Sequence, residues 1–432
     1  MTDADQDGAA LYRRTVLAPL FAAARHHNAH YRRLDLAHAI ALHEAGVLSR
    51  DDAAALLRGI LRLVGALALD GRQDAGDFED LFFLRENRLQ ALIGAGLAGR
   101  LHAGRSRNDI EATIFRLQMR ERMGVLADGL AVLTGTVLDI AAREAGTIIL
   151  AYTHQQPAQP TTYGHYLAAF AEVLLRDLRR LHHAMDDLDA CPLGAAAITT
   201  TGFPLDRARL AALLGFAAPQ ENSYGCIAGV YQCAAAYSAL RLLALNIGRF
   251  TQDLAFWTSF EVGQAVAGDG FVQISSIMPQ KRNPLAVEHL RTMASLCAGH
   301  CETVLGALHN TPFADMVDAE GPTQAAGLAA FDMAARLLPL LEGFLAALRI
   351  DEARARRNID AACATMTEFF DSLVRLEGLP FRLAHEICAD LARRLLAAGR
   401  GIAGLDDAML AAAFATHAGR PPTMDPAALR NL

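Results

Sequence analysis

The residues best suited to chemistry lie in 269–291, Asp-Gly-Phe-Val-Gln-Ile-Ser-Ser-Ile-Met-Pro-Gln-Lys-Arg-Asn-Pro-Leu-Ala-Val-Glu-His-Leu-Arg. The adjacent hydroxyls of Ser275 and Ser276, the ammonium of Lys281 and the amide of Asn283 fall within this one stretch. Gly270 and the serine pair favour a mobile loop over a strand or helix. Asn283-Pro284 reads as a helix start, with an amide at the cap and proline at the first helical position. Free N–H groups and the positive end of the helix dipole then lie beside Lys281 and Asn283, an arrangement that binds anions. A hydroxyl-bearing loop feeding such a site suits proton abstraction next to a carboxylate. A solvated surface turn accounts for the stretch equally well when it is read alone.

Two further stretches are polar where long apolar helices adjoin them. His102-Ala-Gly104-Arg105-Ser106-Arg107-Asn108-Asp109 gathers arginines, a hydroxyl and an amide at a helix start, again ready for an anion. Surface arginines beside an N-cap are the plainer account. Tyr152-Thr153-His154-Gln155-Gln156-Pro157-Ala158-Gln159-Pro160-Thr161-Thr162 places one histidine among amides and hydroxyls, in a loop fixed by prolines. A histidine of this kind is more often structural. The occurrence of three such stretches, each at the end of a long helix, is what favours function.

The elements that must position them are helical. Leu126, Leu130, Leu133, Val137 and Ile140 repeat at helical spacing, as do Tyr166, Phe170, Val173, Leu174, Leu178, Leu181, Met185 and Leu188. Leu240, Leu243, Ile247, Phe250, Leu254 and Trp257 form a third stripe, and helices are expected from Pro284 to Leu308 and from Thr323 to Leu348. Stripes this long predict a bundle of nearly parallel or antiparallel helices, and self-association to cover their apolar surface. Before the bundle, shorter helices are expected over 38–46, 51–69 and from Phe78. They are broken at Asp70-Gly71 and Ala75-Gly76-Asp77. After Ile350, helices over 354–366, 380–398 and 406–416 suggest a small cap. The expected organisation is an N-terminal helical domain (1–104), a central long-helix bundle (105–350) and a C-terminal helical cap (351–432).

The chain has 432 residues, 53% of them hydrophobic, with one Trp and a net charge of −7. This suits an all-α fold and shows no basic patch for nucleic acid. The acidic start Met-Thr-Asp-Ala-Asp-Gln-Asp resembles neither a signal nor a transit peptide. No run of eighteen apolar residues suggests a membrane span. Seven scattered cysteines without Cys-x-x-Cys predict reduced thiols and a cytoplasmic protein, with Cys297 and Cys301 as packed thiols rather than a metal pair. Gly94-Ala-Gly96-Leu-Ala-Gly99 matches a dinucleotide-binding pattern, but no strand precedes it, so a helix C-cap and loop are expected.

Taken together, the three stretches resemble, in order and spacing, the signature regions of the fumarase/aspartase superfamily. His-Ala-Gly-Arg-Ser-Arg-Asn-Asp and Ser-Ser-Ile-Met-Pro-Gln-Lys-Arg-Asn-Pro are similar to the argininosuccinate lyase branch. So are Pro192-Leu-Gly194, Phe203-Pro204-Leu-Asp206-Arg207, Glu221-Asn222-Ser223 and Leu379-Pro380-Phe381-Arg382-x-Ala384-His385-Glu386. The resemblance implies a homotetramer with a twenty-helix core and active sites built from three subunits. It implies no cofactor and no metal. The implied reaction is reversible elimination of an amine or oxygen group from a succinyl moiety, releasing fumarate, with argininosuccinate as the default substrate, as in arginine biosynthesis.

By the same resemblance Ser275 is the base that removes the proton next to the carboxylate. Closure of its loop, backbone N–H groups and Lys281 would lower the proton affinity of an otherwise poor base. Ser106, Arg107, Asn108, Thr153, Lys281 and Asn283 hold the substrate, stabilising the doubly charged aci-carboxylate. His154 assists protonation of the leaving nitrogen, oriented by Glu288 of another subunit.

The departures fall elsewhere. Ile274 stands where the branch usually has glycine, and Glu79-Asp80-Leu81-Phe82-Phe83 lacks the branch's histidine. Tyr224-Gly-Cys-Ile-Ala-Gly-Val-Tyr231-Gln232 lacks its Arg-Asp pair. Phe313-Ala-Asp-Met-Val-Asp318-Ala-Glu320-Gly321 replaces a segment usually rich in Tyr, Gln and Lys. The fumarate side is therefore kept and the amine side altered. That leaves ethylenediamine-disuccinate lyase and related amine–fumarate lyases as a rival reading, and a non-catalytic structural member as a third.

Overall fold

The computed structural model describes residues 9–23, 27–66, 78–317 and 321–430. The acidic stretch 1–7, the breaks at Asp70-Gly71 and Ala75-Gly76-Asp77, and 318–320 lie outside the described residues. The fold class is all-α, about 70% helical. The principal helices are α1 (Asn28–Glu44), α2 (Arg50–Ala66), α3 (Leu81–Ile93), α4 (Arg107–Arg143), α5 (Tyr163–Asp187), α6 (Arg207–Leu214) and α7 (Tyr231–Trp257). They continue with α8 (Leu285–Leu308), α9 (Gly321–Ala347), α10 (Glu352–Ala361), α11 (Met366–Glu377), α12 (Phe381–Ala397) and α13 (Asp407–Ala418).

Two compact units divide the chain. The first comprises Met1–Ala131, Arg176–Asn246 and Met293–Leu337. Its core includes Leu34 and Leu42 of α1, Leu56 and Ile60 of α2, Leu84 of α3 and Ile110 and Ile114 of α4. Gly327 of α9 lets Tyr237 of α7 approach so closely that a Cβ there would lie 1.9 Å from the phenol oxygen. Asp80 caps α3 through Phe83 N (3.0 Å), and Gly94, at φ +85°, ends it. The glycine-rich stretch is thus a helix terminus followed by the short helix Ala95–Gly99.

The second unit comprises Val132–Leu175, Ile247–Thr292 and Leu338–Leu432. Here α5 and α7 pack through aromatic rings. Phe170 stacks on Phe250 with centroids 3.6 Å apart, and Tyr166 lies 4.5 Å from Trp257. Strands β1 (Ile148–Thr153) and β2 (Gln156–Thr162) form an antiparallel hairpin where the sequence suggests a proline-fixed loop. The C-terminal helices enclose their own core around Leu373, Leu391 and Phe414.

The expected stripes face inward. Leu130, Leu133 and Val137 are each 0% exposed, as are Leu240, Ile247 and Leu254. Two helical stretches, Arg107–Arg143 and Ser223–Trp257, have the length and hydropathy to cross a membrane, although neither is an unbroken apolar run. They bury 44% and 56% of their most apolar windows inside the protein, as core helices do. The expected 354–366 helix instead breaks after Ala361. Cys363 turns at φ +49°, and α11 follows.

Candidate active site

The first signature region is built by α1 from below. His38 Nε2 meets the Ala103 carbonyl at 2.9 Å, and Asp35, one turn earlier, takes Arg105 at 2.8 Å and Arg85 at 2.8 Å. Burial alone would raise the Asp35 carboxyl, but the two guanidiniums hold it below the usual range. Burial pushes the His38 imidazole down to about 3, so the ring is neutral and donates from Nε2. These contacts fix the turn that delivers Ser106, Arg107 and Asn108.

Asp109 then secures the turn from the other side. Its Oδ1 accepts from Ser106 N at 2.9 Å, closing a capping-box arm. Its Oδ2 accepts from Gly194 N and Ala196 N, both at 2.9 Å. Gly194 adopts φ +94°, a conformation that favours glycine, which gives the Pro192-Leu-Gly194 motif its physical reason. Burial raises the Asp109 carboxyl to about 6 against the pull of these N–H groups. Two other motif residues are also caps. Asp206 accepts from Arg209 N at 3.0 Å, and Asn222 accepts from Gly225 N at 3.0 Å.

The predicted clamp residues of this region are already engaged. Arg107 binds Asp80 at 2.8 Å and Glu79 at 3.1 Å, with its guanidinium 5.0 Å from the Phe83 ring centre. Asn108 donates to Ala197 O at 3.1 Å and Asp315 Oδ2 at 2.8 Å, and its Oδ1 accepts from Ser106 Oγ at 3.2 Å. Glu79, Asp80 and Asp315 were not singled out as site residues from sequence. The spacing of acids in 79–80 carries no hint that they reach an arginine 27 residues onward.

In the second unit, Thr153 and His154 sit at the tip of the β1–β2 hairpin. Thr153 pairs with Gln156, leaving His154 (φ +54°) and Gln155 (φ +60°) as the two turn residues. Positive φ at both is what a tight two-residue hairpin turn requires. The hairpin is held by buried Gln264, whose amide accepts from Leu150 N at 3.1 Å and donates to Leu150 O at 3.2 Å. Tyr152 packs on Phe256 with ring centres 5.0 Å apart. His154 is exposed.

The serine loop is closed by a short antiparallel ladder that pairs Gln273 with Asn283 and Ile274 with Arg282. Phe271, just before it, packs edge-on against Phe344, and Arg282 binds Asp269 at 2.6 Å. Asn283 is therefore a ladder residue and not the cap of the following helix. Pro284 precedes α8, which starts at Leu285, because the strand pairing holds Asn283 extended. Ser275 Oγ accepts from Met278 N at 3.1 Å and more weakly from Ile277 N at 3.4 Å. Lys281 is exposed, and its backbone N–H closes a turn onto Met278 O at 3.0 Å. Glu288 is exposed in the first turn of α8. Among the described residues of this unit, no hydrogen bond or ion pair joins His154 to Ser275, Lys281 or Glu288.

Comparison with known proteins bears on this arrangement. The Lyase family profile matches residues 76–299, and the argininosuccinate lyase C-terminal profile matches 363–426. The chain is 49% identical to argininosuccinate lyase 2 of Agrobacterium fabrum, over 90% of this chain and 77% of that protein. It is 34% identical to the argininosuccinate lyase of Methanothermobacter thermautotrophicus, over 91% of this chain and 83% of that protein. A double variant of EDDS lyase with bound fumarate superposes with a TM-score of 0.86 at 27% identity, covering 96% of this chain and 80% of that one. Class II fumarase from Schistosoma mansoni shares the fold at a TM-score of 0.72 and 16% identity, covering 88% and 86%. With more than half of its sequence inside one family profile and close relatives along nine-tenths of its length, the chain belongs to the argininosuccinate lyase family.

Proposed function

We propose that this protein is a carbon–nitrogen lyase that releases fumarate from an N-substituted aspartate, with argininosuccinate as substrate and arginine as the other product. Beyond family membership, one observation carries the reading. The Ser275 hydroxyl accepts backbone N–H groups in a loop whose stem holds Asn283 next to Lys281. Donors aimed at an oxygen stabilise its charged form, which is what a serine needs to act as a base.

In this mechanism Ser275 takes the proton next to the carboxylate. Lys281, Asn283 and Thr153, with Ser106, Arg107 and Asn108, bind the succinyl carboxylates and the aci-carboxylate that develops. His154, oriented by Glu288, delivers a proton to the departing nitrogen. The substrate carboxylate takes the place on Asn108 that Asp315 fills in this structure.

The exposure of His154, Lys281 and Glu288 supports sites shared between subunits of a homotetramer. So do apolar side chains at the surface of the long helices: Val125 is 66% exposed, Val132 56%, Leu245 46% and Leu296 48%. Seven free, buried cysteines suit a cytoplasmic location.

The test is to supply purified protein with argininosuccinate and follow fumarate by its ultraviolet absorbance. Stoichiometric fumarate and arginine are expected. No fumarate there, with addition of other amines to fumarate, moves the assignment to a lyase of the EDDS type. The altered segments 224–232 and 313–317, together with the structural likeness to EDDS lyase, favour that second reading. Absence of turnover with every amine would leave a non-catalytic family member.

A further inference from the structure

A cleft in the second unit holds none of the residues assigned above to the reaction. It is open, about 730 Å³ in volume, and runs between the stem of the serine loop (Val272, Arg282 and Pro284) and the start of α10. Three arginines line it, Arg282, Arg354 and Arg357, against one carboxylate, Asp351. That carboxylate caps α10 by accepting from Arg354 N at 2.9 Å. The guanidinium of Arg354 spends its bonds on uncharged oxygens. Its Nε donates to Val262 O at 3.1 Å, and its Nη2 to Glu261 O at 2.7 Å and Phe260 O at 3.3 Å. These carbonyls fix the direction of the side chain and leave its charge unbalanced. Arg357 is exposed and, among the described residues, makes no hydrogen bond or ion pair. Arg282 is paired with Asp269 at 2.6 Å, but that pair lies at the surface, where water and salt screen it.

We propose that this cleft binds a phosphate-type oxyanion, and that the bound anion ties the stem of the serine loop to α10. The lining carries an excess of two positive charges, all on guanidiniums, whose planar forks match the edges of a tetrahedral oxyanion. Arg357 and the Nη1 group of Arg354, which takes no part in the three carbonyl bonds, receive it from α10, and Arg282 receives it from the loop stem. Arg282 pairs with Ile274 in the short ladder, and Ser275 follows Ile274 directly. An anion shared between Arg282 and α10 therefore restrains the strand from which the serine loop springs. The recognised chemistry is the phosphate group itself, whether free or esterified. This inference stands apart from the lyase reading, since binding requires no turnover.

The experiment titrates the wild type, Arg357→Gln and Lys281→Met with inorganic phosphate at constant ionic strength, following binding by phosphorus NMR. Arg357 is exposed, so its variant removes one charge and leaves the fold intact. Binding to the wild type that weakens about tenfold in Arg357→Gln is expected. Lys281→Met, which loses the ammonium of the proposed carboxylate clamp, should bind as the wild type does. No binding, equal binding by the wild type and Arg357→Gln, or a loss confined to Lys281→Met overturns the site. Phenyl phosphate, titrated in parallel, separates the two sources. Tighter binding than phosphate, also lost in Arg357→Gln, assigns the site to a phosphate ester, and weaker binding assigns it to the free anion. Trypsin reads the tie, because Lys281 is exposed in the loop. At about four times the half-saturating concentration, phosphate should slow cleavage after Lys281 and Arg282 about fivefold in the wild type and less than about twofold in Arg357→Gln. Cleavage that bound phosphate leaves unchanged overturns the tie.

Discussion

At the scale of single residues, the proposed site separates groups assigned to chemistry from groups that hold them. Ser275→Ala removes the proposed base and leaves the ladder and Phe271 anchor untouched. Fumarate release should fall by at least about a hundredfold with no change in the thermal midpoint. Retained turnover would remove Ser275 from that role. Asp109 is the opposite case, since its carboxylate hydrogen-bonds to backbone N–H groups of the protein itself. Asp109→Ala leaves the N–H groups of Ser106, Gly194 and Ala196 without their acceptor, and the urea midpoint should report a loss of about 2–4 kcal/mol. The motif around Gly104–Asp109 was legible because arginines, a hydroxyl and an amide at a helix start have few other uses. Its supports were not. His38, Asp35 and Gly194 lie far off in sequence, and nothing in local spacing says that their side chains or backbone converge on one turn.

At the scale of elements, periodicity revealed the long helices because each buries one stripe over many turns, and the ends of α8 and α9 fall close to expectation. It failed where the pattern is short or broken by proline. Pro157 and Pro160 argue against a strand, yet β2 contains both, since a two-stranded hairpin is all edge and tolerates a missing N–H. The buried side chain of Gln264 supplies the pairing that a third strand would give β1. The hairpin's strain sits at its tip, where His154 and Gln155 both hold positive φ. Gln155→Gly should relieve part of it and stabilise the protein by about 0.5 kcal/mol, while Gln155→Val should cost about 1–2 kcal/mol. Urea titration of the three proteins gives the order directly. An equal effect of glycine and valine would show that the turn does not govern the hairpin.

At the scale of the whole molecule, the buried ionisable groups behind the first signature region link folding to pH. His38 has its folded value lowered to about 3 from an ordinary 6.5, so the unfolded chain takes up a proton that the folded one refuses. Its contribution to stability is complete above about pH 6.5. It is lost on acidification toward pH 3, at about 1.4 kcal/mol per pH unit. Burial lowers His30 and His102 as well, with the same sign. Asp109 opposes them. Its folded value of about 6 lies above an ordinary 3.8, so the folded state gains a proton first and is favoured as pH falls through that window. From pH 7 toward pH 6 the histidines act most strongly while Asp109 only begins to offset them, and the urea midpoint should fall. Below pH 6 protonation of Asp109 cancels about one histidine's share, and the fall should become shallower. His38→Gln keeps a donor for the Ala103 carbonyl but cannot titrate. Its midpoint should therefore decline less on acidification below pH 7 than that of the wild type. A variant whose pH dependence matches the wild type would place the linkage on other groups and leave His38 with only its hydrogen bond to the Ala103 carbonyl.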